Sequence, residues 1–320
     1  MAPEHEEDWR NNTTRLGYHI LHGISQACTV SPIAVVSTVL LGHPGRGLSR
    51  SMVIERSNEV LSYLDSAAAR FSEALLDKSN QSLITGEALE KLVDDDAVLV
   101  EHAGRGDTDP IYHIPEDKRV LLDFHKNSLI NHFAPGALLS RVLMRQEGDI
   151  LDYETVRTET RFLSRLFKKE FSYRVGSVFA NVFDEILATL AVRGFLDANE
   201  DGTIGIKNRE SLNILAGFLD SFIEAYWITA MSIRELRTFP LWEKELITHT
   251  QEQTRRAYLE GRISRPEAVN STLIISALRW FQDSGVLVSE TTGKKTTLSL
   301  TPAYGGEALE DLIAGIEKYV

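Results

Sequence analysis

One pattern recurs three times along this chain and restricts its fold more than any other feature. An apolar helix with a period of about 3.6 residues ends at a turn, a short apolar strand follows, and turn residues then lead to a second β-rich run and another helix. The predicted strands open at Leu99, Leu196 and Leu287. A helix that leads into a small hairpin is the layout of a winged helix. The sequence therefore predicts a mainly α protein with small β-hairpins, built of repeated winged-helix-like modules joined by long helices.

The repeat divides the chain into three modules. The strand openings lie roughly 90–100 residues apart, which is too long for the period of a solenoid. We place the first module with its flanking helices at 15–145, the second at 146–235 and the third at 236–320. Residues 1–14 are acidic and polar, and we expect them to form a disordered lead.

The most apolar run, IAVVSTVLLG at 33–42, reads as a core helix. It has about half of the roughly 20 apolar residues that a bilayer-spanning helix needs. Pro32 suits the first helical position and Ser31 the N-cap. We therefore expect no transmembrane segment.

Charge and cysteine content exclude several classes of function. The 34 Lys and Arg residues against 46 Asp and Glu give a net charge of −12, which disfavours non-specific attraction to nucleic acid. The helices before the second and third hairpins carry one Arg each, too few for groove contacts. We expect no nucleic-acid partner. The single Cys28 excludes an internal disulfide and fits a reducing compartment, so we predict a cytoplasmic protein, with a peripheral position at the inner face of the membrane as an alternative.

One pair of residues has the spacing of a catalytic motif. His102 and Asp107 are five positions apart, as in a His general base with an Asp that orients it. Turn-forming residues surround them, between two β-rich runs, and this favours the tip of a hairpin. We therefore predict no catalytic residue in this chain.

Metal and cofactor sites have no better support. His19 and His22 lie one helical turn apart, but a metal site needs three or four ligands and no third residue joins them. NEDGT at 199–203 lacks the alternating oxygen ligands of a calcium loop and reads as a hairpin turn. There is no Gly-rich phosphate loop. We predict no cofactor and no metal.

A group of basic residues in the segment 153–174 stands out in an acidic protein. If the segment is helical, they form one stripe, called here the basic stripe: Arg157, Arg161, Arg165, Lys168 and Lys169. Aromatic and aliphatic residues at 162–171 lie beside it. That mixture is typical of a helix at a membrane interface, but also of a helix that packs into the core and presents its charges to solvent or to another domain. The stripe is thus a candidate contact for a membrane surface or for a neighbouring domain.

Five stretches of the chain resemble the C-terminal region of the membrane-associated glycerol-3-phosphate acyltransferases of bacterial and mitochondrial type. They appear in the order found in that family and cover about residues 15–315. The stretches are HGISQACTVSPIAVVSTVLLGHPGRGLSR, LLDFHKNSLINHFAPGALLSRVL, LFKKEFSYR, LAGFLDSFIEAYWITA and LEGRISRPEAVNSTLIISALRWFQDSGVL.

The resemblance implies a role in phospholipid synthesis, with acyl transfer from acyl-CoA or acyl-carrier protein to glycerol-3-phosphate. The family's catalytic half, including its own His-x-x-x-x-Asp motif, would precede residue 15 and is absent, so none of its catalytic residues can be placed here. We expect a non-catalytic accessory half that packs against an acyltransferase catalytic domain or chain. The alternative is a stand-alone cytosolic winged-helix scaffold or regulator with protein partners.

Overall fold

A computed structural model describes residues 3–43, 45, 47–102, 109–171, 176–199 and 201–320, with side chains for most of them from Asn12 onward. This part of the chain is mainly helical, as predicted. Its α-helices are α1 Pro3–Ala27, α2 Pro32–Gly42, α3 Arg50–Ser66, α4 Gln81–Asp94, α5 Arg119–Asn127, α6 Ile130–Arg145, α7 Tyr153–Leu166, α8 Phe179–Val192, α9 Arg209–Gly217, α10 Asp220–Ser232, α11 Glu243–Leu259, α12 Ser271–Asp283 and α13 Glu307–Glu317.

The β structure consists of short pieces. One parallel pair joins β1 to β3, and the other strands form three antiparallel sheets of three strands each. The strands are β1 Thr29–Val30, β2 Leu48–Ser49, β3 Arg70–Phe71, β4 Leu99–Glu101, β5 Ile111–His113, β6 Ile150–Asp152, β7 Leu196–Ala198, β8 Thr203–Ile206, β9 Leu241–Trp242, β10 Leu287–Thr292 and β11 Lys295–Leu300.

The three-stranded sheets share one topology. A first strand leads into helices, a hairpin follows, and the last strand lies between the other two, in the orders β2-β5-β4, β6-β8-β7 and β9-β11-β10. Leu99, Leu196 and Leu287 each begin the hairpin and pair with His113, Ile206 and Leu300. The predicted hairpins are confirmed. The name winged-helix-like is our interpretation of this strand order, and the module bounds given above stay predictions.

Each hairpin is preceded by the same backbone feature. The helices α4, α8 and α12 are followed by a residue with positive φ, at Asp96 (53°), Gly194 (72°) and Gly285 (73°). A left-handed residue just past a helix end turns the chain away from the helix axis, and Gly adopts it without a Cβ clash. The strand then begins two or three residues later.

Pairs of helices that follow the first two hairpins build the centre of the described part of the protein. After the first hairpin come α5 and α6, and after the second come α9 and α10; each pair is joined by a two-residue turn. Helix α2, which Ser31 caps as predicted through a bond from the Ala34 amide, lies with them. Phe218, in the turn between α9 and α10, packs edge-on against Phe133 of α6 (ring centroids 4.8 Å). One continuous core therefore runs through all three modules.

Two predictions differ from the structure. Residues from Pro3 onward belong to α1, not to a disordered lead. The helix that carries the basic stripe ends at Leu166, so Lys168 and Lys169 follow it in a turn. Burial of Phe167 and Phe171, which pack against Tyr226 and Phe222, draws the chain inward at that point.

Among the described residues, no single helix has both the length and the apolar composition to cross a bilayer. One segment passes such a test only when two bent pieces are joined, α9 and the stretch Asp220–Arg237, with 57° between them.

Candidate functional site

His102, the first residue of the His102–Asp107 motif, lies where the sequence places it, in the connection of the first hairpin. His102 is exposed and directly follows β4, which pairs with β5. Asp107 lies outside the described residues. Elsewhere in the described ranges, no group of three or more His, Cys, Asp or Glu residues is arranged to hold a metal. His19 and His22 are on α1, at an exposed and a half-buried position.

Helix α5 exposes apolar side chains and buries charged ones, which is the reverse of the usual arrangement for a helix on the core of a soluble protein. Val120 and Phe124 are 71% and 73% exposed, and Leu121 lies beside them, also exposed. The opposite face buries Asp123 and Lys126, which form an ion pair (Nζ–Oδ1 2.7 Å). We call Val120, Leu121 and Phe124 the α5 face. An apolar patch turned to solvent above a buried ion pair is the composition of a protein interaction surface.

The α5 face continues into a groove beside α1. Asn127 and Ser128 follow Val120 and Phe124 on the same side of the chain at helical spacing and line a groove of about 610 Å³. The facing wall includes Leu21 and Ile24 of α1, both exposed apolar residues. Together, α5 and α1 present an uncovered apolar surface.

Below this surface, a buried network of charges connects distant parts of the chain. Asp220, at the start of α10, accepts hydrogen bonds from Arg141 of α6 and from Arg265 (Nη2–Oδ2 2.8 Å). Arg265 also donates to the carbonyl oxygen of Leu41, near the end of α2 (2.8 Å). Burial lowers the pKa of Arg141 to about 9, which leaves the guanidinium charged at neutral pH.

The second carboxylate of the network is Glu224, one turn along α10. It accepts the amide N–H groups of Ser264 (2.7 Å) and Arg265 (2.9 Å). Burial raises its pKa, and these hydrogen bonds oppose the rise. The network lies in the core and fixes the loop before α12 against α10, so its role is structural.

The basic stripe divides into two groups in the structure. Arg157 donates to Glu154 (Nη1–Oε1 3.1 Å), and Lys169 forms an ion pair with Asp283 (Nζ–Oδ2 2.5 Å). Arg161, Arg165 and Lys168 are exposed, and in the described part of the chain none of them has an ion pair. The contact that these cations make, with a membrane or another domain, stays a prediction.

The apolar residues beside the stripe are not available to a membrane. Leu163, Leu166 and Phe167 are buried, and Phe162 stacks on Tyr319 with 6.2 Å between ring centroids. Helix α7 therefore uses its apolar face for the core.

The α5 face was not predicted from the sequence. The signal was present, because Val120 and Phe124 are one turn apart while Asp123 and Lys126 share the other side. Such a pattern gives two faces, but it does not say which one is inside.

Comparisons with known proteins agree on one family. A family model described as the glycerol-3-phosphate acyltransferase C-terminal region matches residues 1–290. The Caenorhabditis elegans protein named "Probable glycerol-3-phosphate acyltransferase, mitochondrial" is 24% identical, over 97% of this chain and 45% of its own length. The Mycobacterium tuberculosis protein named "Putative acyltransferase plsB1" is 28% identical, over 83% of this chain and 43% of its own length.

A glycerol-3-phosphate acyltransferase of Pseudomonas putida is 22% identical, over 92% of this chain and 35% of its own length. The chain thus spans less than half of the length of the curated relatives it matches.

Proposed function

The chain belongs to the family of glycerol-3-phosphate acyltransferase C-terminal regions, and on that premise we propose that it is a non-catalytic accessory half of such an enzyme. In this role it packs against an acyltransferase catalytic domain, which acylates glycerol-3-phosphate. The observation that carries the proposal is the α5 face.

The α5 face has the properties of a covered surface. Two apolar side chains more than 70% exposed lie on consecutive turns of one helix, and their burial would lower the free energy of the protein. Removing them from water contributes about 1.5–3 kcal/mol per side chain. The opposite side of α5 carries the buried Asp123–Lys126 pair and the buried Leu122. Rotation of the helix would expose Leu122 and turn the apolar face inward, so α5 keeps this orientation.

The occupant is inferred from the lengths of the relatives. Each is more than twice as long as the part that this chain matches, and each is named as an acyltransferase. A domain of several hundred residues supplies an apolar surface large enough to cover α5 and the neighbouring part of α1.

Co-elution tests the docking surface directly. We would co-express the tagged 320-residue chain with the acyltransferase catalytic chain or region encoded in the same genome and measure their ratio after size-exclusion chromatography. The double variant Val120→Glu, Phe124→Glu should lose at least 90% of the co-eluting partner, because two carboxylates would be buried without partners. The matched control is Val192→Glu, Leu259→Glu, which changes two exposed apolar residues on other helices and should retain it.

The proposal fails if the α5 variant retains its partner as well as the control does, or if the chain binds no acyltransferase. Circular dichroism melts of both variants check that the fold is intact.

An activity assay tests the non-catalytic role. The isolated chain, incubated with glycerol-3-phosphate and labelled acyl-CoA, should form no lysophosphatidate above background. Product that appears with the native chain and disappears with His102→Ala would show instead that the first hairpin is an active site.

A further inference from the structure

A small apolar cavity lies beneath the basic stripe, and Lys168 lines both this cavity and the groove beside α1. Helices α6, α7 and α8 enclose it, and its volume is about 200 Å³. Its apolar wall consists mainly of Pro135, Leu138, Leu139, Phe179, Val182 and Ile186. No Asp or Glu lines it among the described residues.

Two cations of the basic stripe line the same cavity. Arg165 is in the last turn of α7 and Lys168 is in the turn that follows; both are exposed and without an ion pair in the described ranges. Both therefore remain available to an anion at the mouth. Ser164 is half-buried, also lines the cavity and adds a hydroxyl.

We propose that this cavity binds an anionic amphiphile with a single alkyl chain. The chain occupies the apolar space, and the carboxylate or phosphate head lies between Arg165 and Lys168. An apolar interior with a few polar groups at one end is the general design of small-molecule sites. Charge-assisted hydrogen bonds from a guanidinium and an ammonium fix the position of the head.

The volume of the cavity limits the length of the alkyl chain that it can hold. Sites for drug-sized ligands measure about 300–1,000 Å³, and this cavity is smaller, about 200 Å³. It accommodates one short alkyl chain or the first part of a longer one, but not a fused-ring cofactor. Because two positive charges and, among the described residues, no carboxylate line it, we expect it to reject a cationic amphiphile.

Calorimetric titration of the intact chain tests the charge preference. Decanoate, decyl phosphate, decanol and decyltrimethylammonium, each below its micellar concentration, differ only in the head. We expect the two anions to bind at least tenfold more tightly than decanol, with the cation weakest. The better of the two anions identifies the head as a carboxylate or a phosphate. Decanol that binds as tightly as both anions would overturn the proposal.

Two pairs of variants locate the site. Arg165→Glu with Lys168→Glu should weaken the binding of the preferred anion at least tenfold, while Lys244→Glu with Arg255→Glu makes the same change of charge on α11 and should leave it unchanged. Val182→Trp should fill the cavity and abolish binding of the alkyl chain of the ligand. Val192→Trp, at the 90% exposed end of the same helix, should bind as the native chain does.

Equal affinities for the variants and their controls would assign the binding to another place and refute the proposal. Thermal melts of all four proteins distinguish loss of the site from loss of the fold.

Discussion

The helix pairs α5–α6 and α9–α10 occupy equivalent places after two successive hairpins, yet they present opposite faces. In α9, Leu212 and Leu215 are buried while Arg209 and Glu210 are exposed. In α5, Val120 and Phe124 are exposed while Asp123 and Lys126 are buried. The first pair thus leaves apolar side chains exposed, whereas the second buries its apolar side chains within the protein.

The difference comes from what covers each helix. Helix α9 packs against α6 and also contacts α2, so its apolar side is inside. Helix α5 packs against α2 with its charged side, where Lys126 also lies over the ring of Phe222 (5.9 Å). One supersecondary unit can thus serve as core or as surface, depending on its neighbours.

The largest effect should come from the charge network at the start of α10. Asp220→Ala leaves Arg141 and Arg265 buried without their shared carboxylate, and we expect the free energy of unfolding to fall by about 3–5 kcal/mol. Urea unfolding followed by circular dichroism measures it. The control is Asp149→Ala, which breaks the exposed pair with Arg209 at the start of α9 and should cost less than about 1 kcal/mol. Similar losses for both would mean that the network does not stabilise the second pair.

Replacing the buried charged residues of α5 with the residues at the equivalent positions of α9 should change the free energy of unfolding. Lys126→Ala, which introduces the alanine found at the equivalent position 216, leaves the buried Asp123 carboxylate without its cation and with a hydrogen bond from Asn127, and should cost about 3–5 kcal/mol. Asp123→Asn added to it copies Asn213 as well and should recover at least half of that loss, because the buried charge is gone. Additive losses in the double variant would contradict a coupled buried pair.

Truncation of one apolar residue in each pair gives a direct contrast. Leu212→Ala empties part of the core and should cost about 2–5 kcal/mol. Phe124→Ala removes an exposed ring and should change the stability by no more than about 0.5 kcal/mol. Chemical denaturation of the isolated chain measures both. A loss above 2 kcal/mol for Phe124→Ala would show that the α5 face packs within the chain.

The last contrast between the two pairs concerns the pH dependence of stability. Burial lowers the pKa of His132 on α6 below its usual value of about 6.5, so below that pH the unfolded chain binds more protons than the folded one and stability is lost. The equivalent residue of the second pair is Phe222. His132→Phe should remove this loss, and its stability relative to the native chain should rise as the pH falls from 7 to 5, by at most about 1.4 kcal/mol per pH unit.

Unfolding curves at pH 7, 6 and 5 give that difference. The lowered pKa of His43 contributes equally to both proteins and cancels. A difference that is constant across this pH range would contradict the assignment.

Local rules in the sequence determined the elements. Ser31 and Pro32 start α2, the left-handed positions at Asp96, Gly194 and Gly285 end the helices before each hairpin, and the strands open at the predicted leucines. These features depend on residues within a few positions of one another, so the chain specifies them before any distant contact forms. The family resemblance was equally readable, because it rests on the order of whole segments.

Tertiary structure alone decided which face of each helix is inside. The amphipathic pattern of α5 is clear in the sequence, but a pattern of two faces is the same whether the apolar one meets the core or a partner. Likewise, the pairing of Asp220 with Arg141 and Arg265 joins residues far apart in the chain. Burial depends on distant segments that arrive together only in the folded protein, and for that reason the α5 face and the cavity under the basic stripe could be found only there.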